Sequence, residues 1–191
     1  MTRDLPDDHT LLLRWVASDA GSGRELSRRM LPLLRSFFGS KALAGEVDDL
    51  VQQVWLELAE TLRRTREVAI HTTVRAYLLG IARHVLFRQL RRRARADQFD
   101  PLDSTIAVLE PSLSQAVGRQ LQAQRMLQAL HQLPLDVQVM LELRYVQELT
   151  NQEIAALYAI PEGTVKSRLA RARRSLDEQL QARRASDGSG A

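Results

Sequence analysis

The 191-residue chain contains no cysteine, which excludes disulfides and thiolate–metal sites at once. Aromatic residues make up only 5%, and there are nine glycines and six prolines. The chain therefore lacks the turn density and the alternating β-branched or aromatic runs that sheets require. No stretch approaches the roughly 18 consecutive apolar residues of a membrane span. Asp4, Asp7 and Asp8 stand where a signal peptide would be basic and then apolar. His9, His71, His84 and His131 show no metal-ligand spacing. What is abundant is leucine, alanine, glutamine and arginine, with 45% hydrophobic residues in all. The expectation is an all-α, cytoplasmic chain of one domain or two small ones, with no membrane insertion, no metal and no cofactor.

Lysine is also scarce, at two residues against 25 arginines. The net charge of +4 is unevenly spread: −3 over residues 1–60, +9 over 61–95, −6 over 96–162 and +4 over 163–191. Two basic blocks separated by an acidic stretch suit a protein that grips a polyanion in two places. Arginine's planar fork matches phosphates and guanine edges.

Leu149 to Leu176 organises the chain. Thr150 with Glu153 three residues on is a capping box, opening a short helix from Asn151 to about Tyr158. Ala159-Ile160-Pro161 breaks it, because the residue before a proline is pushed out of the helical region. Pro161 then suits the first turn of a second helix. Val165, Leu169, Ala172 and Leu176 recur at helical spacing and face a core. Lys166, Ser167, Ala170 and Arg171 lie on the other side, flanked by Arg168, Arg173 and Arg174. The bland reading is a helical hairpin with a solvated basic face. The sharper one is a helix-turn-helix whose second helix enters a DNA major groove.

Leu133-Pro134, Glu142-Leu143-Arg144-Tyr145, Leu149-Thr150, Glu153-Ile154-Ala155 and Gly163-Thr164-Val165-Lys166-Ser167-Arg168-Leu169, with Arg171-Ala172-Arg173, resemble the C-terminal domain of bacterial sigma factors. The small extracytoplasmic-function type of the sigma-70 family is the nearest in pattern. The resemblance implies that Glu162, Thr164, Lys166, Ser167, Ala170, Arg171 and Arg174 meet the promoter's −35 element. Arg171 is the expected guanine reader, and Arg173 and Arg174 are expected on phosphates.

Taken in order, residues 1–8 are polar, with Asp7 or Asp8 placed to cap a helix beginning near His9. Leu11, Leu12, Trp15 and Val16 form that helix's apolar face. Asp19 to Gly23 reads as a loop. A second helix from Arg24 has Leu26, Met30, Leu33, Leu34 and Phe37 as its core, with a kink or break at Pro32 and a turn from Phe38 to Gly45. A third helix, Glu46 to Leu62, buries Val47, Leu50, Val51, Val54 and Leu58 and turns carboxylates outward. Its run Asp48 to Trp55 resembles the sigma segment that docks on the β′ clamp helices of RNA polymerase. That likeness implies core-polymerase contacts at Asp48, Asp49, Gln52, Gln53 and Trp55.

Thr72 or Thr73 is expected to cap a fourth helix running from Val74 to about Arg95, with Val74, Tyr77, Leu78, Ile81 and Val85 inward. His84, Arg88, Arg91 and Arg95 share one stripe, widened by Arg92 and Arg93, too densely charged for a core. Arg75 to Arg93 resembles the segment that melts and reads the −10 element. This implies roles for the Arg63–Thr73 loop and for Tyr77, Arg83, His84, Arg88, Arg91, Arg92 and Arg95. His84 stands where the family often has Asn, and Arg88 where it often has Asp.

Ala96 to Ser114 reads as an acidic linker. Gln115 to Gln132, with Val117, Leu121, Leu127 and Leu130, and Pro134 to Gln147, with Val137, Met140, Leu141, Leu143 and Tyr145, read as helices. The organisation expected is an N-terminal domain over 1–95, the linker over 96–114, a C-terminal domain over 115–182 and a tail over 183–191. The resemblance implies a sigma factor that is not itself an enzyme. Its implied partners are core RNA polymerase (β′ clamp helices and β flap), promoter DNA and an anti-sigma factor or other regulator. A stand-alone helix-turn-helix regulator is the alternative, though it leaves the second basic helix without a task. A metal-dependent nuclease needs converging carboxylates, whereas the adjacent Asp48 and Asp49 diverge.

Overall fold

The computed structural model of the chain describes residues 6–39, 41, 45–65, 72–97 and 126–188. Among these every regular element is a helix: α1 (Asp8–Val16), α2 (Ala20–Gly39), α3 (Val47–Thr65), α4 (Val74–Asp97), the end of α5 (residues 126–130), α6 (Leu135–Tyr145), α7 (Asn151–Tyr158) and α8 (Glu162–Gly188). The chain divides into two compact units, one of Met1–Gly39 and Leu43–Leu86, the other of Ser40–Ala42 and Phe87–Ala191. Of the linker expected over 96–114, Ala96 and Asp97 belong instead to α4, which runs on through them; the remainder, residues 115–125 of the helix expected next and residues 189–191 lie outside the described residues.

In the first unit α1 packs on α2 and α2 on α3. Asp7 caps α1 by accepting the Thr10 amide at 2.6 Å, which holds its carboxyl below the usual range. Leu11 and Leu12 of α1 and Leu26, Met30, Leu34 and Phe37 of α2 are all buried. Arg29 ties the two helices at their polar edge, donating to the Pro6 carbonyl at 2.8 Å and to Asp8 at 3.1 Å. Glu25 receives Arg28 and Arg29, which hold its carboxyl down at about 2. The α3 residues Leu50, Val51, Val54 and Leu58 are buried as the spacing predicts, Leu62 is buried as well, and Val47 is only half-buried.

Three local expectations are corrected. Residues 20–23 are not loop: α2 starts at Ala20, because Asp19 accepts the Gly21 amide at 2.9 Å and the Ser22 hydroxyl at 2.6 Å. The first of these bonds satisfies a backbone amide that a helix start leaves free, and the second fixes the Asp19 carboxylate over the first turn. Gly23 serves packing here, since a Cβ on it would stand 2.6 Å from Cδ1 of Trp15. Pro32 does not end α2, which runs unbroken to Gly39, and Phe38 is core and not turn. Burial of Leu34, Phe37 and Phe38 outweighs the lost backbone hydrogen bond.

Thr73 caps α4, its hydroxyl accepting the Ala76 amide at 3.2 Å. Val74, Leu78 and Val85 are buried as expected, whereas Tyr77 and Ile81 are half-buried. Ala76, Leu79, Ala82, Leu86, Phe87 and Leu90 bury as well, so this helix is enclosed over more of its circumference than one stripe.

In the second unit α6, α7 and α8 pack on one another. Its buried residues are Ala129, Leu133, Leu135, Val139, Met140 and Leu143, together with Leu149, Ile154 and the inward edge of α8. Tyr145, expected inside, is 51% exposed beside Val146 at 63%. The turn of α6 that buries Val139 and Leu143 carries Tyr145 away from the core, where the Arg144 guanidinium lies 5.8 Å from its ring. Val137, Leu127 and Leu130 are half-buried. Helix α8 extends to Gly188, past the residues where the tail was expected to begin.

The second unit also contains a buried ion pair, Lys41 Nζ to Glu142 Oε2 at 2.6 Å, with the lysine side chain wholly enclosed. Burial pushes the Lys41 ammonium down to about 8 against the pull of Glu142. An unfolded lysine titrates near 10.4. Between those values the unfolded chain binds more protons than the folded one. The pair's contribution is therefore least favourable below pH 8 and improves as pH rises toward 10.4. Urea unfolding at pH 7 to 10 should show this rise, and Lys41→Met should remove it. At pH 7 the same variant leaves Glu142 without its cation, a loss of about 3–5 kcal/mol. Adding Glu142→Gln should recover most of the loss. Equal pH slopes for the wild type and Lys41→Met would overturn the assignment.

Candidate functional site

The helix-turn-helix is built from local rules that can be checked atom by atom. Thr150 accepts the Glu153 amide at 3.1 Å while Glu153 accepts the Thr150 amide at 2.8 Å, completing the capping box. Helix α7 stops at Ala159, which adopts the left-handed conformation at φ 50°, ψ 44° and donates back to the Ala155 and Ala156 carbonyls. Pro161 precedes the first turn of α8, and its carbonyl accepts the Thr164 amide at 2.9 Å. Tyr158 reaches across to donate its hydroxyl to the Asp136 carbonyl at 3.1 Å. Arg168 lies 4.0 Å from the Asp136 carboxylate. Both contacts brace α8 and its turn against the start of α6.

Val165, Leu169, Ala172 and Leu176 are all buried. That fixes the opposite face outward: Glu162, Lys166, Ser167, Arg171 and Arg174 are exposed, and Thr164 and Ala170 are half-exposed. The polar groups on this face are arranged along the helix itself. Lys166 Nζ stands 2.7 Å from Glu162 Oε1, and the Ser167 hydroxyl donates to the Thr164 carbonyl at 3.0 Å. Arg171 Nε donates to the Ser167 carbonyl at 3.4 Å, which leaves the guanidinium nitrogens at the helix edge. The face offers several hydrogen-bond donors and one carboxylate, on a helix narrow enough for a major groove.

On α4, His84, Arg91, Arg92 and Arg93 are exposed, while Arg88, Arg83 and Tyr77 are half-buried. Arg95 lies on the same helix, but its side chain falls outside the described residues, as do residues 66–71 of the loop expected over Arg63–Thr73, whose first three residues belong instead to α3. The stripe is thus a dense cationic strip backed by an apolar helix face, the composition expected of a phosphate-binding surface.

The third surface lies on α3. Asp48, Asp49 and Gln52 are exposed, and Gln53 and Trp55 are half-buried. Arg35 donates to Asp48 Oδ1 at 2.9 and 3.1 Å, so Asp49 is the less committed of the two carboxylates. The Trp55 ring meets Trp15 edge-on, with centroids 6.0 Å apart. Beside them an open groove of about 510 Å³ is lined by Trp15, Gly23, Arg24, Gln52, Trp55 and Leu56. The Trp55 indole nitrogen is buried without an acceptor, and Leu56 is 60% exposed. Sequence reasoning missed Leu56, although position 56 falls off the 47–50–51–54–58 core spacing and a leucine there had no core to enter. It also missed Trp15 and Gly23 as parts of this groove.

Among the described residues, no group of three or more His, Asp or Glu side chains could hold a metal ion. No helix among them is long and apolar enough to cross a membrane.

Residues 24–96 match the Sigma-70 region 2 family, and residues 123–176 match Sigma-70 region 4. The chain is 30% identical to the RNA polymerase sigma factor HrpL of Pseudomonas syringae pv. syringae over 171 residues, covering 87% of this chain and 91% of that protein. It is 29% identical over 145 residues to the ECF RNA polymerase sigma-E factor of Escherichia coli K12, covering 72% and 75% of the two chains. Among solved structures it is similar to the sigma factor RpoE from Bartonella quintana, crystallised with the anti-sigma factor NepR. The TM-score there is 0.61 at 27% identity, over 83% of this chain and 96% of that one. The fold is also that of CnrH, solved in complex with the cytosolic domain of CnrY, at TM-score 0.62 and 22% identity over 92% and 99% of the chains. With both regions present in one chain, and with a likeness to HrpL over 87% of it, the protein belongs to the extracytoplasmic-function sigma factors of the sigma-70 family, which direct RNA polymerase to promoters for transcription initiation.

Proposed function

We propose that three surfaces divide the work of this sigma factor. The α3 face, with Asp48, Asp49, Gln52, Gln53 and Trp55, docks on the β′ clamp helices of core polymerase, where carboxylates and amides meet basic side chains. The α4 stripe, with Tyr77, Arg83, His84, Arg88, Arg91, Arg92 and Arg95, takes the −10 element. The outward face of α8, with Glu162, Thr164, Lys166, Ser167, Ala170, Arg171 and Arg174, takes the −35 element. Residues 1–95 and 115–182 serve as the two functional domains, and the β flap meets the second. The observation that supports this most is the burial of Val165, Leu169, Ala172 and Leu176, which leaves only the basic polar side of α8 for DNA.

On this reading the protein does no chemistry of its own and acts in the cytoplasm, where polymerase and DNA are. A partner that masks one of the three surfaces would regulate it, by analogy with the NepR and CnrY complexes of its structural relatives. A stand-alone regulator would need only α6 to α8 and would leave α3 and α4 without work.

Charge reversal at Asp49 combined with Gln52→Ala should cut co-purification with core polymerase by about tenfold or more, given one desolvated polar contact of a few kcal/mol. Wild-type recovery with an intact fold would assign docking elsewhere.

The α4 stripe is tested by salt. Arg91→Ala and Arg92→Ala should each lower the slope of log affinity against log salt by about one unit in holoenzyme–promoter binding. An unchanged slope in both would mean a merely solvated face.

For α8, Arg171→Ala should flatten base preference at one or two −35 positions. Arg174→Ala should weaken all promoters about equally. A promoter library transcribed with each holoenzyme reads the difference. Reshaped preference from Arg174→Ala alone would show that the wrong side of the helix had been assigned to the groove.

A further inference from the structure

Glu162 is the one acid among the seven side chains assigned to the −35 face, and it stands in the first turn of α8. A carboxylate brought beside DNA phosphates is repelled unless something there donates to it. Its partner in the free protein is Lys166, at 2.7 Å, with both side chains largely open to solvent. Between them in sequence, Gly163 carries no side chain, and a Cβ built there would meet nothing within 4 Å. The fold itself therefore makes no steric demand for glycine at this position, although glycine weakens a helix relative to alanine. An unobstructed patch of backbone beside an exposed acceptor and donor is suited to close approach by a ligand.

Resting on the reading that this face enters the major groove, we propose that Glu162 and Lys166 act as one composite reader of a single G·C base pair in the −35 element. The edge of that pair presents guanine N7 and O6, two acceptors in a row, and next to them the cytosine N4 amino donor. The ammonium has three donors, and a carboxylate has about four acceptor sites. The ion pair consumes one of each. Lys166 can then donate to N7 and O6 while Glu162 accepts from cytosine N4, without the pair breaking. An A·T pair offers a donor between two acceptors, with a thymine methyl beyond, so the ammonium gains a single acceptor at a time. Either member alone would read poorly. Lys166 without Glu162 cannot sense the amino group, and Glu162 without Lys166 is an isolated negative charge among phosphates.

The test is base-by-base scanning of the −35 element in transcription by holoenzymes carrying wild type, Glu162→Ala, Lys166→Ala or both changes, with Arg171→Ala as a control. Both side chains are exposed, so thermal unfolding of each variant should match the wild type. Each single variant is expected to flatten preference at the same position, where the wild type favours G·C by roughly 5- to 150-fold. The double variant should lose no more than the worse single one, the non-additivity of a unit. Effects at two different positions, additive effects, or uniform weakening across all sequences would overturn the composite reader. Arg171→Ala separates the two levels of failure. If it reshapes the preference and the pair variants do not, the pair reading alone falls; if none of the variants does, the groove assignment falls with it.

Discussion

A helix carrying a charged side and an apolar side can rotate about its axis only until the apolar side is buried, and in α8 that condition is met by Val165, Leu169, Ala172 and Leu176. Each buried aliphatic side chain is worth roughly 1.5–3 kcal/mol, far more than any exposed ion pair on the other side. The core of the second unit therefore chooses which side chains the helix turns outward. Lys166, Ser167 and Arg171 are outward because Val165 and Leu169 must be inward. The outward face needs no stabilising interaction of its own, so its residues are free to suit the DNA contact proposed for it.

The same separation of tasks recurs on the other two surfaces. On α4 a circumference rich in Leu78, Leu79, Leu86 and Leu90 is buried, so the arginines cluster on what is left. On α3 a single apolar stripe is enough, and the opposite side carries Asp48, Asp49 and Gln52. The sign of each exposed face follows the sign of its proposed partner: cationic against phosphate, acidic and amide-rich against a basic protein surface. Trp55 and Leu56 add an apolar component to the acidic face. Charge alone gives reach and rate but little residence time.

Periodicity carried much of this from the sequence, and its failures share a cause. The capping box at Thr150 and Glu153, the break at Ala159 to Pro161 and the buried stripe of α8 depend on neighbours three or four residues away, and all were legible. Gly21 and Gly23 were misread as loop because glycine's local meaning is a turn, whereas Gly23 is there for the indole of Trp15. Tyr145 was placed inside because an aromatic at roughly helical spacing resembles core, yet α6 turns it outward. Lys41 and Glu142 are separated by 101 positions, and nothing in either neighbourhood announces that a lysine should be buried. Non-local pairing of this kind is decided by tertiary packing and leaves no periodic trace. The exposed residues of α8 are legible for the opposite reason: exposure is the complement of a local pattern.

The turn between α7 and α8 explains why such complementarity is reliable here. Ala159 occupies a left-handed conformation that costs a non-glycine residue about 1 kcal/mol, and it is held by two backbone bonds to the end of α7. Pro161 removes one more backbone freedom immediately afterwards. A turn this constrained transmits the orientation of α7 to α8 with little slack. Tyr158 and Arg168 reinforce it by fastening the same segment to Asp136 at the start of α6. With axis and rotation both fixed by groups away from the outward face, a substitution at Lys166, Ala170 or Arg171 changes the chemistry of the face proposed to read DNA without moving the helix that carries it. Recognition can then diverge among such proteins one exposed side chain at a time, on a scaffold whose stability is set elsewhere.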